Sequence, residues 1–184
     1  MNTKKENKRM TNKGFALFLA VVIMSILLSI SYSIVNISTK ELILSMSSRE
    51  SQFAFYAADS GIECAMYWDF KNLEPDLDGN QISISAFDKN SNGANVNCNG
   101  AGNIANWTKP LPSRSGNIIT TDTSFDIKNL NSSDGCVSVF VKKTENVDGL
   151  GNITSITTNI ESRGYNTCDV NNPRRVERGI ETNY

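Results

Sequence analysis

The stretch KGFALFLAVVIMSILLSISYSIV, residues 13–35, decides the fold because a charged flank gives way in it to an unbroken apolar run. No charged residue occurs from Phe15 to Thr39, and about 20 apolar residues in a helix cross the hydrocarbon layer of a membrane. The flank is basic, with Glu6 set against Lys4, Lys5, Lys8, Arg9 and Lys13. The positive-inside rule therefore predicts a single transmembrane helix over 15–39 in the cytoplasmic membrane, with a cytoplasmic N-terminus and an extracytoplasmic head.

Three fates of this segment are open: an ordinary secretory signal, an uncleaved anchor, and a leader that is cut before an apolar helix that stays. An ordinary signal has an apolar core of about 7–15 residues, which is shorter than this run. Ser29-Ile30-Ser31 could still serve as its cleavage site. Length therefore favours a helix that is kept.

The boundary Lys13-Gly14-Phe15 resembles the type III signal of type IV pilins and pseudopilins. In that family a prepilin peptidase cuts after the glycine and methylates the new N-terminal phenylalanine. The resemblance implies a leader over 1–14, cleavage after Gly14 and N-methylation of Phe15. It also makes the prepilin peptidase, the membrane and other pilin subunits the expected partners.

Leu19 departs from the pattern of major pilins, most of which carry a glutamate as the fifth residue of the mature chain. In the family that carboxylate is thought to pair with the N-terminal amine of a neighbouring subunit. Some subunits that lack it lie at the filament tip or start the filament. The departure implies a minor subunit, and a tip or initiator role is a hypothesis.

The apolar pattern continues beyond Lys40 at three- and four-residue steps, as on one face of an amphipathic helix. Its members are Leu42, Ile43, Met46, Phe53, Ala54, Ala57, Ala58, Ile62, Ala65 and Met66. No proline precedes Pro75. The pattern therefore predicts one helix from Phe15 to about Asp69, roughly 80 Å long, with residues 40–69 as the amphipathic part.

A block of small residues inside this helix resembles the N-terminal region of PilX-type minor pilins. It consists of Ala54, Ala57, Ala58, Asp59 and Gly61. The resemblance covers roughly residues 9–68 and does not extend into the head. The alternative interpretation, which is compatible with the first, is that small residues let one helix face pack closely against a sheet.

Ser25, Ser29 and Ser33 follow one another at four-residue steps and line one face of the predicted membrane helix. Small residues spaced in this way allow helices of neighbouring subunits to approach and to hydrogen-bond. Alternatively, each hydroxyl bonds a carbonyl of its own helix. The sequence leaves both interpretations open.

The remainder divides into a loop-rich region over 70–135 and an antiparallel sheet over 136–184. The first region is rich in Asn, Ser, Gly and Pro, with short strands expected at Gln81–Phe87 and Ser124–Ile127. Better strands are predicted at Cys136–Lys143, Ile153–Arg163 and Arg174–Tyr184. The fold class is therefore α+β, a long N-terminal helix with a small C-terminal antiparallel β-sheet head, and the resemblance implies a pilin-like lollipop.

Four cysteines in an extracytoplasmic domain indicate two disulfides. Three pairings are possible for Cys64, Cys98, Cys136 and Cys168. We favour Cys64–Cys98, which ties a loop to the helix, and Cys136–Cys168, which joins strands of the head. A zinc site built from all four is the alternative, which the absence of a C-x2-C pair disfavours.

The residues Asp88, Asn90 and Asn92 fit the opening of an EF-hand-type calcium loop. The twelfth position is Asn99 rather than glutamate, so a site here would bind calcium weakly. Asn-Gly turns explain the same letters without a metal. Weak calcium is the cofactor that the sequence suggests, and no other is indicated.

Composition argues against catalysis and nucleic-acid binding. The chain has no histidine, which removes the commonest general base near neutral pH, so we predict no enzymatic activity. The net charge is −1, and removal of residues 1–14 would lower it to about −5, so no nucleic-acid contact is expected. The predicted function is a minor pilin-like structural subunit. The alternative is an uncleaved, single-pass membrane-anchored binding module.

Overall fold

The computed structural model describes residues 13–71, 84–91, 93, 96–98, 104–130 and 134–184. Its elements are α1 (Lys13–Lys71), β1 (Ile104–Thr108), β2 (Ser113–Ser115), β3 (Ile118–Lys128), β4 (Cys136–Val147), β5 (Ile153–Tyr165) and β6 (Glu177–Asn183). One long N-terminal helix precedes a C-terminal antiparallel sheet, so the α+β prediction is confirmed. The helix bounds also agree with the predicted span from Phe15 to about Asp69.

The chain forms two compact units, Met1–Met46 and Ser47–Tyr184. In the first unit the structure describes a helix whose side chains from Gly14 onward are all exposed. This helix is long and apolar enough to cross a membrane. Exposed apolar side chains on this scale are unfavourable in water, which is consistent with a lipid or protein environment.

The second unit is built on a six-stranded sheet in the order β1-β3-β4-β5-β6, with β2 paired to β3. All pairs are antiparallel, and the long register between β3 and β4 runs from Ile118↔Asn146 to Lys128↔Cys136. A tight turn at Asp148–Asn152 joins β4 to β5, and Gly151 there has a φ of 87°. The predicted meander over 136–184 is therefore confirmed.

The region over 70–135 contributes more sheet than the sequence predicted. β3 extends well beyond the expected Ser124–Ile127, and β1 and β2 were not predicted. The inward side of β3 carries Thr121 and Thr123 before Phe125 and Ile127, so its apolar alternation is incomplete in the sequence. A strand that relies on threonine methyl groups gives a weak apolar pattern.

The strand predicted at Gln81–Phe87 is wrong for the residues that the structure describes. Residues 81–83 lie outside them, Ile84 makes a single bridge, and Ala86 and Phe87 lie in a turn. Both side chains are nevertheless buried, and Phe87 stacks on Trp107 and Phe125. The apolar letters there reflect burial of a loop in the core rather than strand pairing.

The core of the second unit lies between residues 54–69 of α1 and the inward side of the sheet. Ala54, Ala58 and Ala65 are fully buried on the helix. They face a layer of β-branched and aromatic side chains, namely Phe125, Ile127, Val137, Val139, Val141 and Ile160. Small residues on the helix therefore accommodate larger ones on the sheet.

Candidate functional site

Gly14 and Phe15, the predicted processing site, lie at the start of α1. A Cβ atom added at Gly14 would meet nothing within 4 Å, and Phe15 is 68% exposed. The remainder of the predicted leader, residues 1–12, lies outside the described residues. The glycine is therefore not required by packing in this structure, and its role in processing stays a prediction.

Ser25, Ser29 and Ser33 form hydrogen bonds within their own helix. Their hydroxyls donate to the carbonyl oxygens of Val22, Ser25 and Ser29 at 2.8, 2.8 and 3.0 Å. This is the intrahelical arrangement that the sequence left open. It satisfies the donors, so the three side chains present a small face whose contact with neighbouring subunits stays a prediction.

The block around Gly61 lies where the helix meets the sheet most closely. Ala54, Ala57, Ala58 and Gly61 are buried, whereas Asp59 is exposed on another side of α1. A Cβ atom at Gly61 would lie 2.8 Å from Val137 and 2.9 Å from Val139. The interpretation of this block as a packing seam is therefore confirmed.

Gly164 of β5 completes this seam from the sheet side. A Cβ atom at Gly164 would lie 2.2 Å from both Ala54 O and Ala58 N. The neighbouring Ser162 donates its hydroxyl to Ala58 O at 2.7 Å. The seam is thus fixed by two glycines and by one buried hydrogen bond across it.

Cys64 and Cys98 form a disulfide, with Cα atoms 5.9 Å apart, which confirms the pairing predicted for them. Trp68 strengthens the same link because its indole Nε1 donates to Asn97 O at 2.9 Å. These contacts tie residues 97–98 to α1. They also exclude the zinc alternative, which requires all four cysteines as ligands.

Cys136 and Cys168 lie side by side as thiols. Burial, together with a hydrogen bond to Cys168, raises the pKa of the Cys136 thiol to about 12. Cys168 N donates to Asp134 O at 2.7 Å, which holds the loop after β5 against the start of β4. The predicted pair is therefore brought together, and its oxidation to a disulfide stays a prediction.

The predicted calcium loop is organised around Lys109. The ammonium group of Lys109 donates to the carbonyl oxygens of Asp88 and Ser91, at 2.8 Å for Ser91. The Asp88 carboxylate accepts from Asn90 N at 2.8 Å, which is an Asx turn. Asn92 lies outside the described residues.

A lysine therefore supplies the positive charge that these carbonyl oxygens attract. Among the residues described, no three His, Cys, Asp or Glu side chains are placed to hold a metal ion. An Asx turn, which the sequence analysis did not propose, accounts for Asp88 and Asn90. Weak calcium binding stays a prediction.

Asp69 is a buried charged residue whose contacts the sequence analysis missed. Its carboxylate is buried and accepts from Lys143 Nζ at 2.7 Å, Tyr184 Oη at 2.9 Å and Thr158 Oγ1 at 3.2 Å. The Ser85 hydroxyl donates to it as well. We call Asp69, Ser85, Lys143, Thr158 and Tyr184 the Asp69 network.

The pKa of Asp69 is lowered, as expected for a carboxylate that is paired with a positive charge. Burial raises this pKa, but the hydrogen bonds from Lys143 and Ser85 and the positive charge of Lys143 outweigh burial, so the pKa lies below its ordinary value of 3.8. Burial and the negative charge of Asp69 raise the pKa of Tyr184. The network therefore holds a charged carboxylate beside a neutral phenol.

The sequence did contain a sign of this network. Asp69 follows Ala54, Ala58, Ile62 and Ala65 on the inward face of the helix, and Lys143 follows Val137, Val139 and Val141 on the inward side of β4. A charged residue at a position that faces the core requires a partner of opposite charge or a hydrogen-bond partner. Opposite charges at inward positions of two elements therefore predict that these elements meet.

Comparisons of this chain with protein-family models, with curated proteins and with solved structures give no match. Three elements of the chain itself bear on its function. These are an apolar helix with a basic flank, a small-residue seam and a disulfide-linked sheet domain.

Proposed function

We propose that this chain is a minor pilin-like structural subunit of a type IV pilus or related secretion filament. In this proposal the chain inserts into the cytoplasmic membrane through 15–39, a prepilin peptidase removes residues 1–14, and helix packing with other pilin subunits assembles the filament. The head from Ser47 onward then lies outside the cytoplasm. No catalytic step belongs to the chain itself.

The observation that carries this proposal is the continuity of α1. The same unbroken helix contains the Gly14-Phe15 boundary, the exposed apolar run and the buried small-residue seam of the second unit. A cleaved secretory signal would not need to continue into the domain core. A helix that serves both purposes is what a filament subunit requires, because helix packing and head display depend on one element.

Leu19 supports a tip or initiator role within this proposal. It is 49% exposed in α1, and an apolar side chain is comfortable in lipid where an unpaired carboxylate would be costly. A subunit without this carboxylate does not make the pairing attributed to it in major pilins. Quantitative mass spectrometry of isolated filaments tests the role, since a high copy number along the shaft would contradict it.

The test of the proposed function is intact-mass and N-terminal analysis of the chain produced with and without a prepilin peptidase. We expect a product that begins at methylated Phe15, formed only with the peptidase, and loss of that product in Gly14→Val. An intact leader in both samples would identify an uncleaved membrane-anchored module instead. A start near Tyr32 would identify a secreted head.

A further inference from the structure

The arginines of the second unit are concentrated at the end where α1 enters it. Arg178 of β6 donates from Nε to Ser51 Oγ at 2.7 Å, which places it beside the first helical turns of this unit. Asn166 donates to Glu50 Oε2 at 2.6 Å and to Arg174 O at 3.0 Å, which brings the loop after β5 to the same end. We call Arg49, Arg174, Arg175 and Arg178 the arginine patch.

Carboxylates offset the charge of this patch only in part. Across the described part of the chain, none of the four arginines forms an ion pair with an acidic side chain. Of the nearby carboxylates, Glu177 pairs with Arg163 at 3.6 Å, whereas Glu50 accepts from the neutral amide of Asn166 and keeps its negative charge beside the patch. The side chains of Arg49, Arg174 and Arg178 are exposed.

The arginine patch is positively charged, whereas the unit that contains it has a net negative charge. Of 18 basic and 19 acidic residues in the chain, six basic and two acidic ones precede Ser47, which leaves 12 basic and 17 acidic residues. An acidic domain with four arginines toward one end, of which Arg175 is half-buried over the ring of Tyr165, has a polarised surface. Guanidinium groups bind phosphate through paired hydrogen bonds, so the preferred partner is a phosphate-bearing surface.

Chain connectivity identifies that surface. Only residues 40–48 separate the uncharged run ending at Thr39 from Arg49, and nine helical residues rise about 14 Å. If 15–39 spans the membrane, this short connection keeps Arg49 near the lipid headgroups. The field of an anionic leaflet acts on basic residues within about a Debye length of its surface.

We infer that the arginine patch binds the anionic phospholipid headgroups of the membrane that anchors the chain. Lipid binding would hold the head against the membrane before the chain leaves it. This inference rests on the membrane anchoring within the proposed function and not on leader cleavage or filament assembly.

The experiment uses the full chain with its leader, reconstituted into nanodiscs of phosphatidylcholine alone or mixed with phosphatidylglycerol. Amide hydrogen exchange is measured over 47–55 and 166–178. The hairpin tip at 148–152 serves as an internal reference, because β4 and β5 extend about 35 Å away from the patch. In the mixed discs we expect exchange over the patch to slow by about five-fold or more at low salt, and the difference to vanish at high salt.

The matched variants each remove two positive charges. Arg49→Gln with Arg174→Gln changes exposed members of the patch, and we expect the lipid-dependent protection to be lost. Arg114→Gln with Lys142→Gln changes exposed residues of β2 and β4, and we expect the protection to be kept. The wild-type comparison between the two lipids needs no variant, so the inference stays testable if a variant fails to fold.

Four results would overturn the inference. Equal exchange in both lipids at low salt would show that no headgroup is bound. A difference that survives high salt, or that survives the Arg49 and Arg174 substitutions, would assign it to another surface. Protection that rises with the number of chains per disc in phosphatidylcholine would assign the patch to contacts between subunits. None of these results bears on cleavage after Gly14.

Discussion

Asp69 shows how much one buried charge depends on its partners. Its side chain is 4% exposed and that of Lys143 is 9% exposed, so neither group can be solvated if the other is removed. Loss of one partner of a buried ion pair leaves an uncompensated charge, which is more costly than the pair itself is stabilising. Loss of one member of the Asp69 network therefore weakens the place where α1, β4, β5 and Tyr184 meet.

Asp69→Ala should lower the free energy of unfolding by roughly 3–5 kcal/mol, because it leaves the Lys143 ammonium buried without a counter-charge. Asp59→Ala removes an exposed carboxylate from the same helix and should change stability by less than about 0.5 kcal/mol. Urea unfolding of the detergent-solubilised chain, followed by circular dichroism, measures both. Equal losses in the two variants would show that the ion pair does not set the stability of this region.

The Asp69 carboxylate also predicts how the free energy of unfolding depends on pH under acidic conditions. The pKa of Asp69 is lower in the folded state than its ordinary value of 3.8, so the unfolded chain takes up the proton first as the pH falls. The stabilisation is therefore present above pH about 4 and is lost as the pH falls through the folded pKa. When the urea concentration at the unfolding midpoint is measured from pH 7 down to about pH 2, it should decrease below about pH 4.

Asp69→Asn is the control for the acid limb because it cannot titrate. Its stability should be lower at neutral pH, where the wild-type carboxylate is charged and paired. Its midpoint should also depend less on pH below about 4 than that of the wild-type chain. An acid limb of the same depth in both proteins would assign acid unfolding to other carboxylates.

At the scale of elements, the contact between α1 and β5 depends on the absence of side chains. A Cβ atom at Gly164 would meet backbone atoms of Ala54, Ala57 and Ala58 at 2.2–2.9 Å. Backbone atoms of a helix cannot rotate away as a side chain can. The helix and the strand would have to separate, and the packing around them would be lost.

Gly164→Ala should therefore destabilise the second unit by about 1–3 kcal/mol or more. Gly149→Ala is the matched control, since a Cβ atom there meets nothing within 4 Å. Thermal unfolding of the two variants and the wild-type chain distinguishes them. A Gly164→Ala protein as stable as Gly149→Ala would mean that α1 and β5 are not in this close contact.

The elements also show which structural features are readable from this sequence. The long helix contains an unbroken apolar run and the β4–β5 meander shows alternating apolar residues, so the positions of both follow from the local sequence. The contributions of β1 and of the loop around Phe87 depend instead on contacts distant in sequence, such as the stacking of Phe87 on Trp107. No local pattern encodes such contacts.

The features of the candidate site likewise divide into those that local sequence predicts and those that depend on contacts distant in sequence. The seam at Gly61 was readable because its small residues recur at helical spacing, whereas the glycine that faces it, Gly164, lies far away in the chain. The Cys64–Cys98 pair was chosen from three possibilities because it ties a loop to the helix. The contacts of Lys109 with Asp88 and Ser91 could not be predicted. Lys109 lies about 20 residues further along the chain, and no local pattern shows that its side chain binds this loop.

At the scale of the whole molecule, the buried core belongs to one unit. Every buried hydrophobic residue in the described part of the chain lies between Ala54 and Ile160. Side chains over 14–46 are exposed and contribute nothing to this core. The second unit, Ser47–Tyr184, also contains the disulfide, the seam and the Asp69 network. It therefore contains the interactions that a stable domain of this size needs.

A fragment that begins at Ser47 should consequently fold without detergent or lipid and unfold in one cooperative transition. Its urea midpoint should agree with that of the full chain in mild detergent, because the described side chains over 14–46 are all exposed. Circular dichroism and size-exclusion chromatography measure structure and association. A Ser47 fragment carrying Asp69→Ala is the destabilised control, since it should unfold at a lower urea concentration. A fragment that aggregates, or that lacks a cooperative transition under oxidising conditions, would show that the apolar helix is required for folding of the head.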